Sequence, residues 1–275
     1  MTTRRQFLAG LGAGLAALAM PRLAAQTRPR PNLIFILADD LGWMDTNAYG
    51  STFYETPHLD ALMARGLRFT QAYAANPLCS PTRASILTGQ YPCRVRFTTP
   101  AGHLKEEVLD PIVPERSAQN QRLIQPQTRT RLPNEYLTYA ELARAAGYRT
   151  AFMGKWHLGR DPYLPENQGF TVVVGGREHP GPPPRGYFSP WACPTLPDGP
   201  EGRHICDVLT DEACKFLRDN RDRPFLLNLW YYDVHAPFQG KEELIAKYRR
   251  KADPANPQHC PTMGAMIEAL DQNIG

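Results

Sequence analysis

An adjacent acidic pair follows the apolar run Asn32 to Leu37, in the segment Ala38-Asp39-Asp40-Leu41-Gly42. Two carboxylates at the mouth of an apolar strand are costly unless a cation binds them, and their hard oxygens suit calcium or magnesium. An ordinary acidic turn, solvated or capping a helix, reads the same way. The second chemical element is Cys79-Ser80-Pro81-Thr82-Arg83, continued by Ala84-Ser85-Ile86-Leu87-Thr88-Gly89. Pro81 suits the first turn of a helix. Cys79 is therefore expected just before a helix N-terminus, where unpaired amides and the macrodipole favour an anion. Arg83 adds a planar positive fork suited to a tetrahedral oxyanion. The plain alternative is a buried cysteine beside a proline-started helix.

Elements able to position these groups alternate along the chain. Asn32 to Leu37 reads as a strand buried on both faces. Thr56-Pro57 starts a helix with Leu59, Leu62 and Met63 on its apolar side, closed by Gly66. Leu67 to Tyr73 alternates as a strand does, and a short helix runs from about Ser80 to Gly89. Thr138 caps a helix over Tyr139 to Ala146, and Arg149 to Met153 reads as a strand. A helix over Asp207 to Asn220 precedes the apolar strand Phe225 to Tyr231, and helices near 241–250 and 263–274 follow. This rhythm predicts an α/β fold, a mostly parallel central sheet with helices on both faces. Ligands of such sheets gather at the carboxyl ends of the strands. Residues 98–135 lack periodicity. Residues 177–200 hold eight prolines and read either as a surface excursion or as a substrate-facing loop.

The chain has 275 residues, 42% hydrophobic and 21% charged, which excludes a disordered polyelectrolyte and a polytopic membrane protein. Its net charge of +4 includes Arg4, Arg5 and Arg22 from an acid-free N-terminus; without those three the balance is +1, and no nucleic-acid partner is expected. Arg4-Arg5, the apolar run Leu11 to Met20 and Leu23-Ala24-Ala25 predict a twin-arginine export signal over 1–25. The twin-arginine machinery is then a partner and the destination is periplasmic or extracellular. None of the six cysteines forms a C-x-x-C pair, which argues against a zinc or thioredoxin-type site.

Cys79 to Gly89 resembles the signature of the type I, arylsulfatase A-like sulfatases of the alkaline phosphatase superfamily. Other stretches agree in order. Asn32 to Gly42 resembles the family's opening strand with its metal aspartates, and Glu55 to Gly66 its T-P-N-L-D-x-L helix, with His58 in place of Asn. Gly147 to Gly159 resembles the second sulfatase signature, and Val234 to Phe238 its V-H-x-P segment. The resemblance covers residues 31–275. It implies that a formylglycine-generating enzyme oxidises Cys79 to formylglycine, and that Asp39, Asp40 and residue 79 hold Ca2+. It further implies that Arg83 and Lys155 stabilise sulfate charge, that His235 protonates the leaving alcohol, and that His157 takes a proton from the second hydroxyl of hydrated formylglycine. The implied substrate is a sulfated carbohydrate.

The family also supplies a second metal pair and a further lysine from a later strand. Asp271 and Asn273 lie on a helix with Met263, Met266, Ile267, Leu270 and Ile274 at helical spacing and are not expected to be that pair. The expectation is therefore an incomplete N-terminal portion of a catalytic domain over 26–275, binding calcium weakly. Two alternatives stand beside sulfate ester hydrolysis: a phosphate or phosphonate monoester hydrolase of the same superfamily, and an inactive fragment or binding protein. Residue patterns leave the oligomeric state and the substrate sugar open.

Overall fold

The computed structural model describes residues 30–275; the expected export signal over 1–25 lies outside the described residues. Leu33–Gly275 make one compact unit. β1 (Leu33–Leu37) leads to α1 (Pro57–Arg65), which Pro57 opens and Gly66 closes. α2 (Cys79–Thr88) and the one-turn α3 (Pro92–Val95) follow. α4 (Tyr139–Ala145) starts from a reciprocal Thr138–Glu141 capping box. Next come β2 (Arg149–Gly154), β3 (Val172–Gly175), α5 (Ile205–Asp219), β4 (Phe225–Trp230), α6 (Glu242–Lys251) and α7 (Pro261–Ile274).

All four strands are parallel, in the order β1-β4-β2-β3. β4 is buried along its whole length, because it has a strand on each side and helices on both faces. Alternation sends Leu227 and Leu229 to the face where Leu209, Phe216, Ile267 and Leu270 of α5 and α7 pack. Leu226 and Trp230 point to the opposite face, against Phe152 and against Ala84, Leu87 and Ala140 of α2 and α4. The α/β architecture and its two helical layers are therefore those expected from the strand-helix rhythm.

Register decides where chemistry can occur. Leu37, Trp230, Gly154 and Gly175 form one row across the sheet, so the segments after all four strands emerge along a single edge. The row is tightest at Gly154. Its φ is +108°, and a Cβ there would lie 1.8 Å from the Trp230 carbonyl oxygen, the acceptor of the Lys155 N–H at 2.9 Å. Gly154→Ala combines left-handed strain with a backbone clash and is expected to cost about 2–3 kcal/mol, read by urea unfolding at unchanged m-value.

Several local expectations need correction. β1 is an edge strand among the described residues, with Leu33 45% and Ile34 50% exposed. An apolar run specifies a strand but not its rank in the sheet, and the central place belongs to β4. Leu67 to Tyr73 is irregular; Leu67, Phe69 and Tyr73 are exposed and find no sheet partner among the described residues. Cys79 is the first residue of α2, with Leu78 as its N-cap, rather than lying just outside the helix. β3 is an element that the sequence pattern did not predict. Residues 177–200 form no helix or strand, yet Tyr187 and Trp191 are fully buried in the main core. Gly181 of the same loop abuts His235, a Cβ there lying 2.9 Å from Nδ1. The loop is thus part core and part wall of the site.

Candidate active site

Beyond the row of strand ends, Asp39 and Asp40 follow β1, Lys155 and His157 follow β2, His235 follows β4, and Cys79 opens α2. Two backbone bonds fix Asp39: its N–H donates to the Asp233 carbonyl, and its carbonyl accepts from the Val234 N–H, both at 2.7 Å. Its buried carboxylate lies between two buried cations. Arg83 Nη2 donates to Oδ1 at 3.1 Å, and Lys155 Nζ donates to Oδ2. Burial alone would raise the Asp39 pKa, but the Arg83 and Lys155 charges outweigh it and hold the carboxyl below its ordinary value. Arg83 is fixed further by donating to the Lys155 carbonyl at 2.7 Å and by lying 5.3 Å from the Trp230 ring centroid.

Lys155 Nζ also approaches Cys79 Sγ, at 3.3 Å. Ser80 Oγ donates to the His157 carbonyl at 2.7 Å, clamping the start of α2 onto the segment after β2. Burial pulls the Cys79 thiol up, but its bond to His235 and the charge of Lys155 prevail and leave it below its ordinary value. The same bond raises the His235 pKa against the opposing effect of burial. His235 Nδ1 bonds the Ala236 carbonyl at 2.5 Å, while Nε2 lies 3.7 Å from Asp40 Oδ2. Position 79 therefore sits at a helix start between an ammonium and an imidazole whose pKa is raised, an environment that favours an anion.

His157 Nε2 lies 2.9 Å from His103 Nδ1. His157 Nδ1 is buried without a hydrogen-bond partner among the described residues. Burial, then the charge of Lys155, pushes the His157 pKa down to about 2, so the ring is neutral. An unfolded histidine titrates near 6.5. This group's contribution to stability is therefore complete above pH 6.5 and falls as pH drops toward 2. Wild type is expected to lose about 1.4 kcal/mol per pH unit more than His157→Gln below pH 6, measured by urea unfolding at each pH. Taking the difference between the two proteins removes the contributions of other titrating groups.

Asp39, Cys79, Arg83, Lys155 and His235 thus come together beyond the strand ends. Ligand atoms of Asp39, Cys79 and His235 lie within 4.8 Å of one another; Asp40 is outside that group, and its side chain is about half exposed. His157 joins through Ser80 and through His103, which sequence reasoning missed. His103 lies in the stretch without periodicity, and a lone loop histidine carries no signal. Asp271 and Asn273 lie elsewhere, as expected. Asp271 accepts from the His58 and Leu59 N–H groups at 3.1 and 2.8 Å, tying α7 to the start of α1. Asn273 donates to Asp207 and to the Ala269 carbonyl. Calcium takes about six to eight oxygens. Asp39, already shared by two cations, and Asp40 could supply only part of such a set.

Comparison with known proteins agrees with this arrangement. The family model described as Sulfatase matches residues 31–275. The N-acetylgalactosamine-6-sulfatase of Rattus norvegicus is 32% identical, over 95% of this chain and 50% of the relative. The crystal structure of Ps i-CgsB in complex with k-i-k-neocarrahexaose superposes with a TM-score of 0.67 at 27% identity, covering 90% of this chain and 53% of that one. A structure in complex with its substrate D-glucosamine-2-N,6-O-disulfate gives a TM-score of 0.59 at 26% identity, over 82% and 39% of the two chains. The chain spans about half the length of the curated relatives it matches. With the family model covering the whole described unit and the signature residues gathered at one edge of the sheet, the chain belongs to the sulfatase family.

Proposed function

We propose that this chain carries the nucleophile-bearing part of a sulfuric ester hydrolase acting on sulfated carbohydrate, with Cys79 oxidised to formylglycine. The observation that carries this reading is the convergence of Arg83, Lys155 and His235 around residue 79 at the start of α2. The converted residue would supply the attacking oxygen, and calcium, which Asp39 and Asp40 would help to hold, would supply further positive charge. Asp39 fixes Arg83 and Lys155, which face the equatorial sulfate oxygens and oppose their growing charge. His235 holds a proton that it delivers to the departing sugar oxygen. His157, kept neutral, offers Nδ1 as the acceptor for a proton from position 79 when sulfate leaves. The sulfated substrate of the glucosamine complex supports a carbohydrate ester as the substrate class.

The test is coexpression with a formylglycine-generating enzyme, mass spectrometry of the Cys79 peptide, and parallel assays on sulfate and phosphate monoesters. An aldehyde at position 79 and preference for sulfate are expected. An unmodified thiol would favour a binding protein instead, and preference for phosphate or phosphonate esters would favour the sister hydrolases. Two further parts belong to the same reading: 26–275 as the N-terminal portion of the catalytic domain, and 1–25 as a twin-arginine signal directing the protein to the periplasm or beyond. Changing Arg4 and Arg5 to lysine is expected to leave precursor in the cytoplasm, read by fractionation and immunoblot.

A further inference from the structure

Behind Asp39, three side chains that this reaction does not use converge. His204 is the N-cap of α5, Cys206 lies in its first turn, and Asp233 follows β4. All three are buried, with exposures of 2%, 0% and 0%. One ligand atom from each lies within 4.8 Å of the other two. The imidazole is held flat against Tyr187, ring centroids 5.5 Å apart, and meets Phe188 edge-on at 5.2 Å. Its Nε2 lies 4.0 Å from Asp233 Oδ1. That nitrogen and both Asp233 carboxylate oxygens lack a nitrogen or oxygen hydrogen-bond partner among the described residues, and the Cys206 thiol offers the carboxylate a weak sulfur donor. A carboxylate so buried and so poorly satisfied costs several kcal/mol unless a cation or a proton accompanies it.

We propose that His204, Cys206 and Asp233 form a structural zinc site, its fourth position taken by water. Donor chemistry selects the metal: one nitrogen, one sulfur and one oxygen suit zinc, whereas calcium and magnesium require oxygens alone. Charge explains the tolerance of burial, since one thiolate and one carboxylate neutralise the dication. The geometry needs little adjustment. Bonds of about 2.0–2.3 Å place tetrahedral ligand atoms about 3.3–3.8 Å apart, so donors within 4.8 Å of one another must close by at most about 1.5 Å.

Proton balance is simple. Loading expels the Cys206 proton and any proton on Asp233. His204 Nδ1 accepts weakly from the Cys206 N–H at 3.4 Å in the metal-free fold, so loading also shifts the neutral ring's proton from Nε2 to Nδ1 and frees the Nε2 lone pair. A backbone carbonyl, that of Gln239, hydrogen-bonds this ring and serves as the outer acceptor that a ligating histidine normally has. No C-x-x-C pair marks these residues, because two come from the start of α5 and the third from a strand end nearly thirty residues later. The site would join α5 to the segment whose backbone holds Asp39.

The full chain is stripped with a chelator, reloaded with zinc or cobalt(II), desalted, and analysed for metal content and for a thiolate-to-cobalt charge-transfer band. About one zinc per chain and a clear band are expected in the wild type and in Cys79→Ala, which removes the other cysteine-containing cluster. Cys206→Ala should bind at least about a hundredfold more weakly and lose the band; Asp233→Asn, nearly the same shape, should bind at least about tenfold more weakly. If Cys206→Ala does not fold, the Asp233→Asn comparison and a zinc-dependent rise in wild-type Tm decide the question. Wild type that keeps no zinc, a band that survives in Cys206→Ala, or a band lost in Cys79→Ala would overturn the proposal.

Discussion

Replacing Asp39 with alanine is expected to lower the unfolding free energy by about 3–5 kcal/mol, while the same change at Asp40 should stay within about 0.5 kcal/mol. The neighbours differ in what depends on them. Asp39 is the shared partner of Arg83 and Lys155, whose side chains are 2% and 0% exposed, so its removal strands two buried cations. Asp40 is half exposed, and among the described residues its one charged contact is His235 Nε2 at 3.7 Å. Asp39→Asn preserves shape but not charge and should fall between the two. The sign with pH follows from the depressed Asp39 pKa. Its contribution is present above the unfolded value near 3.8 and is lost as pH falls through the lower folded value. Urea unfolding at pH 7 is the measurement; a loss below about 1 kcal/mol in Asp39→Ala would show that the buried cations do not rely on it.

His235→Ala is expected to divide substrates by their leaving groups. With a sugar sulfate, whose alkoxide leaves poorly, loss of the proton donor should lower kcat/KM by about 10^2–10^4-fold. With 4-nitrophenyl sulfate, whose phenolate leaves without protonation, the loss should be less than about tenfold. Cys79→Ala should instead abolish both, by on the order of 10^4 or more, because the nucleophile itself is gone. The comparison requires protein in which position 79 is converted, confirmed by mass spectrometry in the same samples. Equal losses on both substrates in His235→Ala would assign this histidine to charge stabilisation around residue 79, where its bond to Cys79 already places it.

Much of this arrangement could be read from the residues, for identifiable reasons. β2, β4 and α5 carry long runs with a clear period, and Thr138 announces the helix it caps. The chemical residues sit in spaced clusters immediately after strands, which is where a parallel sheet exposes them. What escaped the reading is what periodicity does not encode. β3 is only four residues long, with valines too few to show a pattern. The run at 32–37 reveals a strand but not its edge position, and Leu67 to Tyr73 alternates without a partner to pair with. His103 and the His204–Cys206–Asp233 group are brought to their neighbours by tertiary packing alone, so no local spacing could reveal them.

The strand order β1-β4-β2-β3 also sets a timetable. β1 and β2 never touch; each pairs with β4, the last of the four strands to be made. A ribosome that has already released Cys79 must add about 150 more residues before β4 is complete, which at 5–20 residues per second takes roughly 8–30 s. Throughout that interval Asp39 and Lys155 have no common frame to bring them together, and the thiol lies in an unfinished fold rather than behind its later partners. Only once β4 is in place do the Lys155 and His235 segments close around position 79.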